Sequence, residues 1–188
     1  MKQWYALRVR SNFEKVVQSS LRHHGLEEFL PTYWRKSRWS DRVKVIQYPL
    51  FPGYVFGHFD AANRLPVLQM PGVVHILGNS DGPIAVAEGE LNGIRLAVQS
   101  GLPVEPWPLL AAGDIVIVKE GALAGLEGVM MRIKDQTRIV VSLTLLQRSV
   151  AVELNRDSVK PIGHSILTYV ATTAGKINRS GSTVTSLR

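Results

Sequence analysis

The chain has 188 residues, 45% of them hydrophobic and 20% charged, with a formal net charge of +7 and no cysteine. That balance belongs to a folded globular chain, and the missing cysteines exclude disulfides and thiolate metal sites. No apolar run reaches the ~20 residues of a membrane-spanning helix and no signal-peptide pattern opens the chain, so a reducing cytoplasm is the expected setting and no membrane is an expected partner.

The first predicted strand is Gln3–Val9, "QWYALRV". Ser11 and Glu14 follow in the S-x-x-E spacing of a capping box, in which the two side chains satisfy the free amides of a helix start. Phe13, Val16, Val17 and Leu21 then recur at helical spacing, and Gly25 provides the stop. Strands are predicted at Phe29–Trp34, Val43–Tyr48 and Tyr54–Phe59, a short helix at Ala61–Gln69, another strand in "GVVHIL", and a second helix in "AVAEGELNGIRLAVQ". This order predicts an α+β sandwich, with helices on a mostly antiparallel sheet, over residues 1–100.

Pro103, Pro106 and Pro108 fall within six positions. Proline fixes φ and lacks an amide donor, so neither helix nor central strand is expected there, and 101–110 reads as a semi-rigid linker. Beyond it, "DIVIVKEG", "EGVMMRIKD", "RIVVSLTLL", "SVAVELN" and "SVKPI" predict a small five-stranded barrel over 111–162. "TRIVVSLTLLQRSVAVEL" is rich in β-branched residues, which disfavour helix. The tail, 163–188, is rich in Ser, Thr and Gly and is expected to be largely disordered.

The positive charge is unevenly placed: residues 1–100 carry 12 Lys/Arg against 8 Asp/Glu, whereas 101–162 carry seven of each. A basic first half beside a neutral second half points to a polyanionic partner of the first. "WRKSRWSDRVK", Trp34 to Lys44, packs five basic residues and two tryptophans around one acid. It reads either as a solvated hairpin or as a nucleic-acid contact, where cations neutralise phosphates and indoles stack on unpaired bases.

Signs of catalysis are few. There is no P-loop and no G-x-S-x-G, and the acids of the first half are scattered, so neither an enzyme nor a cofactor is expected. His23 and His24 are adjacent, about 100° apart on a helix, which is the wrong spacing for a shared metal. "LFPGYVFGHF", Leu50 to Phe59, holds four of the ten Phe and Tyr residues. A plain strand does not need rings on both faces. Val55 and Phe59 are expected as core, and Phe51, Tyr54 and Phe56 as rings turned outward by the Pro52-Gly53 turn.

Four stretches in order, "WYALRVRSNFEKVV", "LFPGYVFGHF" with "MPGVVHILG", "AAGDIVIVKEGALAGLEGVM", and "LLQRSVAVEL" ahead of "DSVKPI", make residues 3–162 resemble the NusG family of transcription elongation and antitermination factors. "WYALRV" and the short loop before "PLFPGYVF" look closer to specialised paralogues such as RfaH. The resemblance implies an N-terminal NGN domain, a linker, a five-stranded KOW barrel, and a monomeric factor without cofactor or metal. It implies that the NGN domain binds the clamp helices of the largest RNA polymerase subunit and suppresses pausing. The binding depression would be built from Tyr5, Phe51, Pro52, Gly53, Tyr54 and Phe56, with Lys15 on its rim. Arg10, Arg22, His23 and His24 would meet the non-template DNA strand. Leu145, Leu146 and Arg148 would form the barrel's docking patch for Rho or a small-subunit ribosomal protein, although Gln147 stands where NusG has glycine. The rival expectation is a ribosome- or RNA-binding module acting in translation. Such a module should set cations beside its rings, and Tyr54 and Phe56 have no Lys or Arg within six positions.

Overall fold

The computed structural model describes residues 1–38, 43–108, 112–133 and 136–166. Twelve of its strands fall into two main sheets and a hairpin, and the other two form one tiny ribbon. β1 (Lys2–Val9) leads into α1 (Glu14–His23), then β2 (Glu27–Phe29), β3 (Thr32–Arg38), β4 (Val43–Pro49) and β5 (Tyr54–Asp60). A 3-10 turn at Ala61–Asn63 and the short α2 (Leu65–Leu68) precede β6 (Val73–Ile76). The ribbon β7 (Gly78–Asn79) and β8 (Gly82–Pro83) leads to α3 (Glu88–Gln99).

The first main sheet has the order β2-β5-β1-β6 and is antiparallel throughout. β1 is covered on both sides, which is why its apolar run from Trp4 to Leu7 is continuous. Alternation sorts its side chains. Tyr5, Leu7 and Val9 join Val17 and Leu21 of α1, Val55 and Phe59 of β5, and Val67 beneath the sheet. Trp4 and Ala6 join Phe51, Phe56 and the α3 residues Leu91, Ile94 and Ala97 on the opposite side. The expected sandwich is therefore present, with α1 and α2 on one face and α3 on the other.

The second main sheet has the order β14-β10-β11-β12-β13-β9. It comprises β10 (Ala112–Val118), β11 (Glu127–Ile133), β12 (Gln136–Leu143), β13 (Arg148–Leu154) and β14 (Val159–Ile166), the five predicted KOW strands, plus β9 (Val104–Pro108). β12 and β13 pair from Thr137↔Leu154 to Leu143↔Arg148, so the β-branched stretch is strand, as its composition requires.

Three local expectations are corrected. The predicted strand Phe29–Trp34 is split into β2 and β3, because Leu30 and the φ-restricted Pro31 turn the chain between them. The Pro-rich stretch expected as linker contributes β9, which lies at the sheet edge against β13, where proline's missing amide leaves no central ladder broken. The capping box does not form: α1 starts from Phe13 with no side-chain cap, and Asn12 takes a left-handed φ of 66°. Tail residues 167–188 lie outside the described residues.

Candidate functional site

The Phe51–Tyr54 turn is built by its sequence. Pro52 presets one corner, Gly53 supplies φ +80° at the next, and the Tyr54 amide donates to the Phe51 carbonyl at 3.1 Å. The positive φ requires glycine here, and a side chain would also push the Arg8 guanidinium aside. Every polar backbone atom of Gly53 is then held. Its carbonyl accepts from the Val9 amide at 2.9 Å and from Arg8 Nη1 at 3.4 Å, and its amide donates to Glu14 Oε1 at 2.8 Å. Glu14 is itself 8% exposed. The acid read as half of a capping box is instead the clamp of this turn.

Alternation decides which rings meet. Ala6 pairs with Phe56 and Leu7 with Val55, so even-numbered residues of β1 and β5 share a face. That face gathers Phe51, Tyr54 and Phe56, with Trp4 and Phe29 beside them. Tyr5 is excluded, a correction to the expected depression. It is 4% exposed on the α1 side, 4.9 Å from the Phe59 ring, and its hydroxyl donates to Gln3 at 3.2 Å. Val55 and Phe59 are core on that same side, as expected.

The rings are not turned out to solvent, which is a second correction. Phe51 is 1% exposed, Phe56 is fully buried, and the two pack edge-to-face at 6.0 Å. They lie in one continuous buried cluster with Leu91, Ile94 and Ala97 of α3, with Val116, Val118, Ile139, Val141, Val150 and Val152 of the second main sheet, and with Leu123, Leu126 and Leu146 of its connections. α3 lies so close to that sheet that a methyl at Gly93 would stand 3.0 Å from Val141 Cγ1. Tyr54 alone stays half-buried at the seam, with Arg8 5.0 Å and Arg148 5.8 Å from its ring centroid. Pro52 is exposed beside it.

Arg148 and Leu145–Leu146 therefore sit against the ring surface itself. Leu146 is 8% exposed within the shared cluster, Leu145 packs against it, and Arg148 reaches Tyr54. The two patches expected to meet different partners meet each other. Between them, Gln147 adopts φ 53°, the left-handed conformation that explains a glycine at this place in the resemblance.

The basic residues of α1 divide. Lys15, His23 and His24 line a shallow groove on its solvent face with Val16, Ser19 and Ser20. His24 closes the helix end, its Nδ1 2.8 Å from the Ser20 carbonyl. Arg22 turns to Glu28, through Nε at 3.1 Å and an ion pair through Nη2. Arg10 is exposed ahead of the ten-residue helix, whose last residue is His23. Among the described residues, no three His, Asp or Glu side chains converge, and no helix is long and apolar enough to cross a membrane.

Sequence reasoning missed Trp4, Arg8 and Arg95. Trp4 stacks on His58 at 5.1 Å, and Arg95 lies 5.3 Å from the Trp4 ring centroid and 5.2 Å from that of Phe29. The alternation of β1 carried the signal for Trp4 and Arg8, since even positions there must share a face.

The family model for "NusG: Transcription termination factor nusG" matches residues 2–95. Among curated relatives, the "Transcription termination/antitermination protein NusG" of Vibrio parahaemolyticus serotype O3:K6 is 30% identical over 177 residues, covering 86% of this chain and 96% of its own. The protein of that name from Escherichia coli strain K12 is 29% identical over 174 residues, with 85% and 96% covered. A solved structure described as "Domain interaction in Thermotoga maritima NusG" superposes with a TM-score of 0.54 at 21% identity, covering 86% of this chain and 98% of that one.

Proposed function

The chain belongs to the NusG family of transcription termination/antitermination factors, and from that premise we propose that its clamped aromatic turn binds RNA polymerase. The expected target is the clamp-helix pair of the largest subunit, and the expected effect is suppressed pausing. The observation that carries this is the pinning of the Phe51–Tyr54 turn by Glu14 and Arg8, which holds Tyr54 at the edge of an aromatic face. Buried aromatic anchors at interface centres contribute about 2 kcal/mol or more each, and a pre-set turn spares the ordering cost.

That face shares one buried cluster with α3 and the second sheet, so polymerase engagement on this reading requires the sheet to separate from it. Separation would also free Leu145, Leu146 and Arg148 to dock Rho or a small-subunit ribosomal protein, and tethering would let each contact raise the effective concentration of the other. Arg10, His23 and His24 remain the residues for non-template DNA, with Lys15 on the rim. Arg22 would have to leave Glu28 first. A gel shift with single-stranded non-template DNA on a paused complex tests this part: Arg10→Ala/His23→Ala should weaken the shift, and an unchanged shift rejects it.

The test of the main reading is single-round transcription by a purified bacterial polymerase over a template with a known pause. The full chain should shorten the pause and Tyr54→Ala should not; equal effects of the two reject the assignment. A second reading has one observation in its favour. Although no cation is near Tyr54 in sequence, Arg8 and Arg148 are near it in space, the pairing an RNA-binding module would use. Under that reading, Tyr54→Ala lowers affinity for RNA and leaves the pause effect intact.

A further inference from the structure

β3 and β4 form a sheet of their own, in which each strand pairs only with the other among the described residues. Isolated two-stranded ribbons are marginal in water, and this one is anchored at its base. There Tyr33 packs against the main core, the Tyr33 and Tyr48 rings lie 6.2 Å apart, and Gln47 Nε2 donates to Thr32 at 2.7 Å. Further out, the register places Trp34 opposite Gln47 and Lys36 opposite Val45. Trp34, Lys36 and Val45 therefore share a face, with Trp34 68% and Val45 57% exposed and Lys36 exposed beside them. Arg35 is exposed on the reverse face.

Beyond that anchored base, the two-thirds exposed indole of Trp34 has no part in the core. The sequence around it indicates what it meets: residues 34–44 carry five Lys or Arg against Asp41 alone. That charge matches a polyanion, and a flat ring and an ammonium carried on one face at positions two residues, about 7 Å, apart along the strand match a base with its neighbouring phosphate. A paired duplex hides its base faces, whereas an unpaired strand presents them. We propose that the β3–β4 hairpin is a single-stranded nucleic-acid arm, in which Trp34 stacks on an unpaired base while Arg35 and Lys36 neutralise phosphates. This goes beyond the polymerase reading and does not depend on the Tyr54 surface.

The test uses the full chain and a fluorescein-labelled oligothymidylate of about 12 nucleotides, followed by anisotropy across a salt series, with an unlabelled duplex of equal length as competitor. Trp34→Ala should weaken binding by about 5- to 160-fold, the range of base–aromatic stacking, with an unchanged salt slope. Trp34→Phe should recover most of the loss. Arg35→Ala/Lys36→Ala should flatten the slope by about 1.4, roughly 0.7 for each lost phosphate contact on a single strand. All three variants lie on exposed positions, and circular dichroism should match wild type. Binding by Trp34→Ala within twofold of wild type overturns the proposal, as does a duplex that competes as well as the single strand. A hairpin built for an acidic protein surface gives the first of these results.

Discussion

Glu14 Oε1 accepts the backbone amide of Gly53 at 2.8 Å, joining the first turn of α1 to the turn that carries the aromatic face. Both residues are buried, so the bond has no water to replace it.

Glu14→Ala leaves the Gly53 amide unsatisfied and should cost about 1–3 kcal/mol in urea unfolding. Glu14→Gln keeps an acceptor at the same reach and should recover most of it. Hydrogen exchange at the Gly53 amide should accelerate in the alanine variant and stay near wild type in the glutamine variant.

Phe56→Ala should destabilise the protein by about 3–5 kcal/mol, the usual loss for a fully buried phenylalanine. Half-buried Tyr54→Ala should cost markedly less. Thermal unfolding of the two single variants separates them, and makes Tyr54 the position at which to probe binding without disturbing the core.

Arg148→Ala removes a guanidinium from the Tyr54 ring while sparing the buried strands behind it. If the covered face must open to bind, losing this cation–π contact, about 0.5–1 kcal/mol at an exposed site, should raise apparent polymerase affinity by about two- to fivefold. Equilibrium binding of purified polymerase to wild type and variant reads this directly.

Asp60 accepts from the Met1 α-amino group at 2.8 Å and from the Ala62 amide at 3.1 Å. The α-amino hydrogen bond first, and then the Ala62 amide, hold its carboxyl below the usual carboxylate range. The folded-state value is depressed, so the stabilisation is present above the ordinary carboxylate pKa and lost as pH falls through the lowered one. Between pH 5 and pH 2, Asp60→Asn should therefore lose less stability than wild type in parallel urea titrations.

The fold was legible wherever local pattern decides structure. The periodicity of Val17 and Leu21 marked α1, and the alternation of "WYALRV" marked β1. The aromatic excess pointed to Phe51–Phe56, whose rings the structure gathers on one face. What it could not reveal was the burial, because the cluster that holds Phe56 also takes in residues from Val116 to Val152, some 60 to 100 positions away. The same applies to Arg8 and Arg148, remote in sequence from Tyr54 and beside it in space. Tyr5 was misplaced for a simpler reason: it alternates against Ala6, which pairs with Phe56, so it must face α1. Glu14 satisfied a short-range motif and was claimed by a long-range partner, since a buried amide at Gly53 needed an acceptor more than the helix end did.

The central claim is that the face ending in Tyr54 is the polymerase-binding surface. Its most direct test is the equilibrium affinity of a purified bacterial RNA polymerase for the full-length chain and for Tyr54→Ala, after matched unfolding curves have established equal folding at the assay temperature. The account predicts at least a tenfold loss, the order expected when an interface anchor worth about 2 kcal/mol is truncated. Affinity for Tyr54→Ala within a factor of two of wild type would contradict it.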